Sequence, residues 1–360
     1  MAFLVSGVVI GHFRDLPPET VHMVQEIAEL GVVMLLFLIG LEITPPQLRR
    51  LGRDALTLGV PQIGITTVLI GSYVWWRLGT WDTAVVIGLG LSMSSTMVAL
   101  QLLGDRHALH TPWGRKSFAI LLAQDLAIVP FLLIVSLMAD RSTEDSSVTQ
   151  WLWNLARAGL VVAGIITLGR FLLSRILAAA KRQNNEAAFV CVTFLAVLGA
   201  ALASEMAGLS MALGTFLLGA TLSASPFGHR IAGSVEPAKS ALLALFFFSI
   251  GFTVDLDVVK TFWIMLLINA VVIIGLKFVI LFMAAFCSGN TYSDALRLGL
   301  ALAQFGEFGF VLFTAAQAGG LMTPELSVLA SILIALSMRA APFLMRLAPN
   351  CKPANDSHCE

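Results

Sequence analysis

Charge is what this sequence has least of: Asp, Glu, Lys and Arg together make up 12% of its 360 residues, roughly half the fraction usual in a soluble domain. A shortage of that size leaves almost no room for a soluble enzyme, and no catalytic residues are expected. Lys and Arg number 22, as do Asp and Glu, so no basic surplus points to a nucleic acid. Cysteine is scarce too. Cys191, Cys287, Cys351 and Cys359 form no C-x-x-C pair, which excludes a disulfide framework or a zinc ribbon as the organising device. The six histidines are scattered with no ligand-like pair on one helix face, so a structural metal is not expected. A Gly-rich phosphate loop, a dinucleotide fingerprint and a supported Ser/His/Asp order are also missing, and no cofactor is expected.

What the chain has in abundance is apolar length. Hydrophobic residues make up 58% of it, and runs of the roughly 20 residues that a helix needs to cross a bilayer recur throughout. Eleven spans are expected, at 28–43, 55–76, 83–103, 117–138, 151–173, 186–204, 209–224, 238–253, 261–284, 295–317 and 325–346. The fold class is therefore an all-α polytopic membrane protein, with a transporter domain over 1–349 and a short tail over 350–360. Residues 1–10 are too short to span and lack the basic start and cleavage site of a signal peptide; they read as the end of a helix that begins upstream. Lys and Arg accumulate on the cytoplasmic side of a membrane. Alternate loops hold 16 and 5 of them, with Lys277 left inside a span, which predicts a multi-pass inner-membrane protein with a cytoplasmic C-terminus.

The sequence also repeats itself. At an offset of 211 positions, Leu36-Phe37-Leu38-Ile39-Gly40-Leu41 meets Phe247-Phe248-Ser249-Ile250-Gly251-Phe252, Gly64 meets Gly275, and Gly88-Leu89-Gly90-Leu91 meets Gly299-Leu300-Ala301-Leu302. The copies, about 1–140 and 209–346, are separated by an odd number of spans, so they lie in opposite orientations as an inverted-topology repeat. Such repeats place the ion site at their interface, on helices broken around polar or Gly-rich backbone. Ser94-Ser95-Thr96 in one copy and Gln304-Phe305-Gly306-Glu307-Phe308-Gly309 in the other fit that description. If both helices break, half-helix ends with opposed dipoles meet near the midplane.

Three ionisable side chains lie well within the apolar spans: Asp125, Lys277 and Glu307. Asp or Lys there costs roughly 2.5–3.5 kcal/mol on insertion scales, so each should face a cavity or a partner. At about 1.5 Å per residue, Asp125 and Ser95 lie roughly 12 Å from the cytoplasmic end of their spans, Lys277 about 10 Å and Glu307 about 18 Å, depths at which they can meet. Asp125 is the strongest candidate for the ion site. It follows Gln124 in an apolar helix, and Pro130 leaves the Leu126 carbonyl without its donor. A carboxylate holds a proton or a monovalent cation but not both, and that competition suffices for exchange. Lys277 is expected as its charge partner, displaced when the cation binds. Ser94, Ser95, Thr96 and Gln304 offer further oxygen ligands, while Glu307 divides between ligand and hydrogen-bonded structural acid. Glu42, Asp82, Glu205, Asp255 and Asp257 fall near span ends and read as solvated.

These motifs, in this order and together with the stretch from Glu29-Leu30-Gly31-Val32-Val33 through Leu41-Glu42 and with Phe246 to Gly251, resemble the membrane part of the Kef-type potassium/proton antiporters, within the wider monovalent cation/proton antiporter superfamily. The resemblance runs nearly the whole chain. It implies two crossing discontinuous helices, the sodium/proton antiporter fold, and a homodimer working by alternating access. It also implies that Gln124-Asp125 marks the ion site and that the Ser94 to Thr96 and Gln304 to Glu307 segments are the helix breaks. Kef-type proteins usually have thirteen spans and a cytoplasmic nucleotide-binding regulatory domain, so the expectation here is a shorter, ungated relative.

The functional expectation is exchange of K+ or Na+ for H+ across the bilayer. The alternatives are an ungated cation efflux channel, which would share the pathway without proton coupling, a divalent metal (iron) transporter of the same fold, and a non-transporting scaffold.

Overall fold

A backbone surrounded by hydrocarbon must satisfy its own polar groups, and helices do so within one segment. The computed structural model describes residues 2–13, 30–41, 54–141, 148–182, 186–252 and 256–349, and these contain helices and no strand. The tail at 350–360, with Cys351 and Cys359, and the span-end acids Glu42 and Asp255 lie outside the described residues.

The helices are α1 (Ala2–Phe13), α2 (Leu30–Leu41), α3 (Val60–Leu78), α4 (Trp81–Ser92), α5 (Thr96–Asp105), α6 (Pro112–Arg141) and α7 (Val148–Thr167). They continue with α8 (Ser174–Arg182), α9 (Glu186–Glu205), α10 (Met211–Ser223), α11 (Gly228–Phe252), α12 (Leu256–Cys287), α13 (Tyr292–Leu302), α14 (Phe308–Ala318) and α15 (Pro324–Arg346). A π-helical turn, Ala55–Gly59, leads into α3, and another, Leu168–Leu173, joins α7 to α8. Among the described residues seven stretches are long and apolar enough to cross a membrane: Ala55–Leu78, Trp81–Asp105, Pro112–Ala139, Gly159–Ala179, Glu186–Glu205, Lys260–Cys287 and Pro324–Arg346. The expected span at 209–224 is a helix of 13 residues, and that at 295–317 is two helices with non-helical backbone at 303–307 between them. Polar and glycine-rich sequence divides the second, as Ser94-Ser95 divides Trp81–Asp105 at 93–95.

The apolar side chains turned outward suit a lipid solvent: Leu160, Val271, Leu195 and Met206 are all strongly exposed. Trp75, Trp76 and Trp81 are exposed where α3 ends and α4 begins, the position aromatic rings take at a membrane–water boundary.

The chain forms two compact units. The first comprises Met1–Arg50, Ile128–Trp263 and Val311–Leu329, the second Leu51–Ala127, Ile264–Phe310 and Ala330–Glu360. In the first, Phe37, Leu38, Phe189, Val197 and Leu218 belong to a buried core. Gly40 and Gly219 lie back to back there: a Cβ on Gly40 would strike the Phe216 carbonyl, and one on Gly219 the Phe37 carbonyl. Small residues at such a contact let two helix backbones approach where lipid provides no hydrophobic drive. In the second unit Leu102, Leu103, Trp113, Ile120, Leu281, Leu298, Leu302 and Met345 belong to the core, and this unit contains every residue singled out above for the ion site.

Candidate functional site

A helix that stops inside a membrane orphans its last carbonyls and the first N–H groups of the helix that resumes. Two such interruptions occur in the second unit. Helix α4 stops at Ser92 and α5 resumes at Thr96, while α13 stops at Leu302 and α14 resumes at Phe308. Trp81 and Tyr292, which begin the two interrupted segments, stand 211 positions apart, the offset of the sequence repeat.

The interruptions are stitched to each other. The Gly306 N–H donates to the Met93 carbonyl at 3.0 Å. The Ser95 N–H donates to Gln304 Oε1 and Gln304 Nε2 returns a bond to the Ser95 carbonyl, each at 2.9 Å. Ser94 Oγ donates to the Leu302 carbonyl at 2.8 Å. Gly306 is required by this closeness, because a Cβ there would lie 2.9 Å from the Ser94 carbonyl carbon and oxygen. Gly306→Ala is therefore expected to cost about 1–3 kcal/mol, as overpacking does, and to lower the unfolding midpoint in detergent by several degrees. An unchanged midpoint would show that the two segments separate freely.

The remaining orphans are taken up by side chains from neighbouring helices. Gln124, on α6, accepts from the Ser94 N–H at 2.9 Å. Lys277, on α12 and fully buried, donates from Nζ to the carbonyls of Met93 at 2.5 Å and Gln304 at 3.0 Å. These two carbonyls are themselves 211 positions apart, and Nζ lies 5.3 Å from the Phe305 ring centre. Ser337, on α15, accepts from the Phe305 N–H at 2.9 Å. Ser95 caps α5, its hydroxyl accepting from the Val98 N–H at 3.3 Å.

Asp125 follows Gln124 on α6, and consecutive helical residues diverge by about 100°. The amide thus reaches the break while the carboxylate reaches past it to α5. Both carboxylate oxygens of Asp125 lie 3.0 Å from Thr96 Oγ1. Gln124, Ser94, Ser95, Lys277 and Gln304 are buried at 1% exposure or less, whereas Asp125 and Thr96 are half-buried. The carboxylate and hydroxyl are therefore the accessible edge of an otherwise closed polar cluster. Of the roughly four acceptor sites that a carboxylate offers, a single hydroxyl proton takes one. Glu307 is half-buried in the turn that precedes α14, with Oε2 buried, and stands 211 positions after Thr96.

The structure gathers the expected residues around the two breaks and divides them by role. Ser94, Ser95, Gln124, Lys277 and Gln304 hold backbone, and Asp125 and Thr96 face each other. Two members escaped sequence reasoning. Gln62, in the apolar α3, and Ser337 are buried and bonded into the same cluster. An amide inside a long apolar run was the available signal for the first; a serine in a helix carries none.

A family model described as sodium/hydrogen exchanger, transmembrane, matches residues 1–346. Among solved structures, the chain is similar to the sodium proton antiporter MjNhaP1 from Methanocaldococcus jannaschii, with a TM-score of 0.67 and 15% sequence identity, covering 96% of this chain and 91% of that one.

Proposed function

The chain belongs to the sodium/hydrogen exchanger family and is a multi-pass membrane transport protein rather than an enzyme, and on that footing we propose that it exchanges a monovalent cation, K+ or Na+, for H+ by alternating access. The observation that carries this reading is the half-buried Asp125 carboxylate, 3.0 Å from the Thr96 hydroxyl at the edge of a closed polar cluster. A proton and a cation compete for that carboxylate, and Thr96 Oγ1 supplies a second hard oxygen. Monovalent rather than divalent cargo is favoured by the sparse, hard-oxygen character of the Asp125 and Thr96 pair.

In this reading α4–α5 and α13–α14 are the two crossing discontinuous helices of an inverted repeat, the protein is a homodimer of the inner membrane, and its C-terminus is cytoplasmic. The Kef-like motifs favour K+, while the similar solved antiporter is named for sodium. One exchanging carboxylate makes the cycle electroneutral, one cation for one proton.

Purified protein in liposomes with an imposed ΔpH tests it by addition of KCl, NaCl or LiCl. The expected result is ΔpH collapse by K+ or Na+, at a rate unaffected by clamping the membrane potential with an ionophore. Cation flux indifferent to ΔpH would replace the antiporter by a channel, and silence from folded, inserted protein would favour a scaffold.

A further inference from the structure

Gln62 Oε1 accepts from Gln124 Nε2 at 2.7 Å, and Gln62 Nε2 donates to Thr66 Oγ1 at 3.0 Å and to the Ser92 carbonyl at 3.3 Å. Gln124 Nε2 also lies 3.4 Å from that carbonyl. Gln62, Thr66, Ser92 and Gln124 are each exposed by 1% or less, so the chain of bonds is closed to bulk solvent.

The direction of every bond follows from one group. A backbone N–H only donates, so the Ser94 N–H requires the oxygen of the Gln124 amide. That turns the Gln124 NH2 toward Gln62, which must answer with its own oxygen, and the Gln62 NH2 is left for Thr66 and Ser92. Reversing either amide sets donor against donor or acceptor against acceptor in a buried site, an arrangement that leaves groups unsatisfied.

We propose that Gln62 is a positioning residue of the exchange site: by locking the Gln124 amide it holds the Ser94 N–H, and through the two residues that follow it sets Thr96 opposite Asp125. This rests on the exchange reading above. Gln62 touches neither ion; it acts through Gln124. A neutral amide pair also suits its place. Thr66, its partner, stands 211 positions before Lys277, so at the same position of the repeat one copy carries a hydroxyl bonded to an amide and the other an amine bonded to carbonyls.

The test has two readouts. Gln62→Met keeps the length and apolar stem but offers Gln124 no acceptor; Gln62→Glu restores one. Hydrogen–deuterium exchange of the purified protein should show the Ser94 amide exchanging about tenfold faster in Gln62→Met than in wild type, with Gln62→Glu between them. This requires no transport, so it stands even if the exchange reading fails. In liposomes, Gln62→Met should raise the apparent cation KM about fivefold, the size of one lost hydrogen bond, with the maximal rate nearly kept. Adding Gln62→Met to Gln124→Met should change KM no further. An unchanged Ser94 amide, an unchanged KM in an active protein, or full additivity of the two substitutions would each overturn the proposal.

Discussion

Asp125→Asn is expected to abolish cation-evoked ΔpH collapse while leaving the protein folded and inserted. The amide is isosteric, and its oxygen can still accept from Thr96 Oγ1, so the contact between α6 and α5 survives. What disappears is the charge for which cation and proton compete. Asp125→Glu keeps that charge but moves it by one methylene, so reduced exchange should remain. Thr96→Val removes a hydroxyl bonded to a carboxylate, an interaction of about 1.5–3 kcal/mol, and should weaken apparent cation affinity without silencing the protein. Competition also gives a sign for pH: lowering it raises the proton's share of Asp125, so the apparent cation KM must rise as pH falls. Wild-type activity in Asp125→Asn, or a KM that falls with acidification, would remove Asp125 from the pathway.

Lys277→Met should be the most destabilising single change in the second unit. Nζ donates to two carbonyls that belong to different interrupted helices, and methionine fills a similar volume with nothing to donate. The Met93 carbonyl keeps the Gly306 N–H, but the Gln304 carbonyl loses the donor described for it, and a buried acceptor left unsatisfied costs about 1–3 kcal/mol. That is a large share of the 5–15 kcal/mol typical of a whole fold. Thermal unfolding of detergent-solubilised protein should show a marked fall in midpoint, and exchange activity should fall with it. Lys277→Arg, with its several donors, should recover part of the stability. A midpoint within a degree of wild type would mean that the Gln304 carbonyl finds another donor.

Why Lys277 was only half legible is instructive. Its place in an apolar span identifies it as a residue with a buried partner, and among side chains charge points to Asp125. The partners described for its amino group are main-chain carbonyls, and sequence does not record which backbone groups a broken helix orphans. Asp125 and Gln124 were legible for the opposite reason: polar side chains in hydrocarbon declare themselves by composition alone. The breaks were legible too, because Ser94-Ser95 and Gln304-Phe305-Gly306 interrupt apolar runs at one constant offset. Gln62 shows the limit. A lone amide in α3 is visible, but its contact lies 62 positions away on α6, and no periodicity connects them.

The two carbonyls held by Lys277 also impose an order on biogenesis. Met93 is synthesised long before Lys277, but Gln304 follows it by 27 residues. When α12 enters the membrane its amine can find the first acceptor and must wait for the second. The interrupted helix α13–α14 therefore completes a seat that the ribosome has already half built. A chain halted before residue 304 would leave that amine with only the first of its two described carbonyl partners.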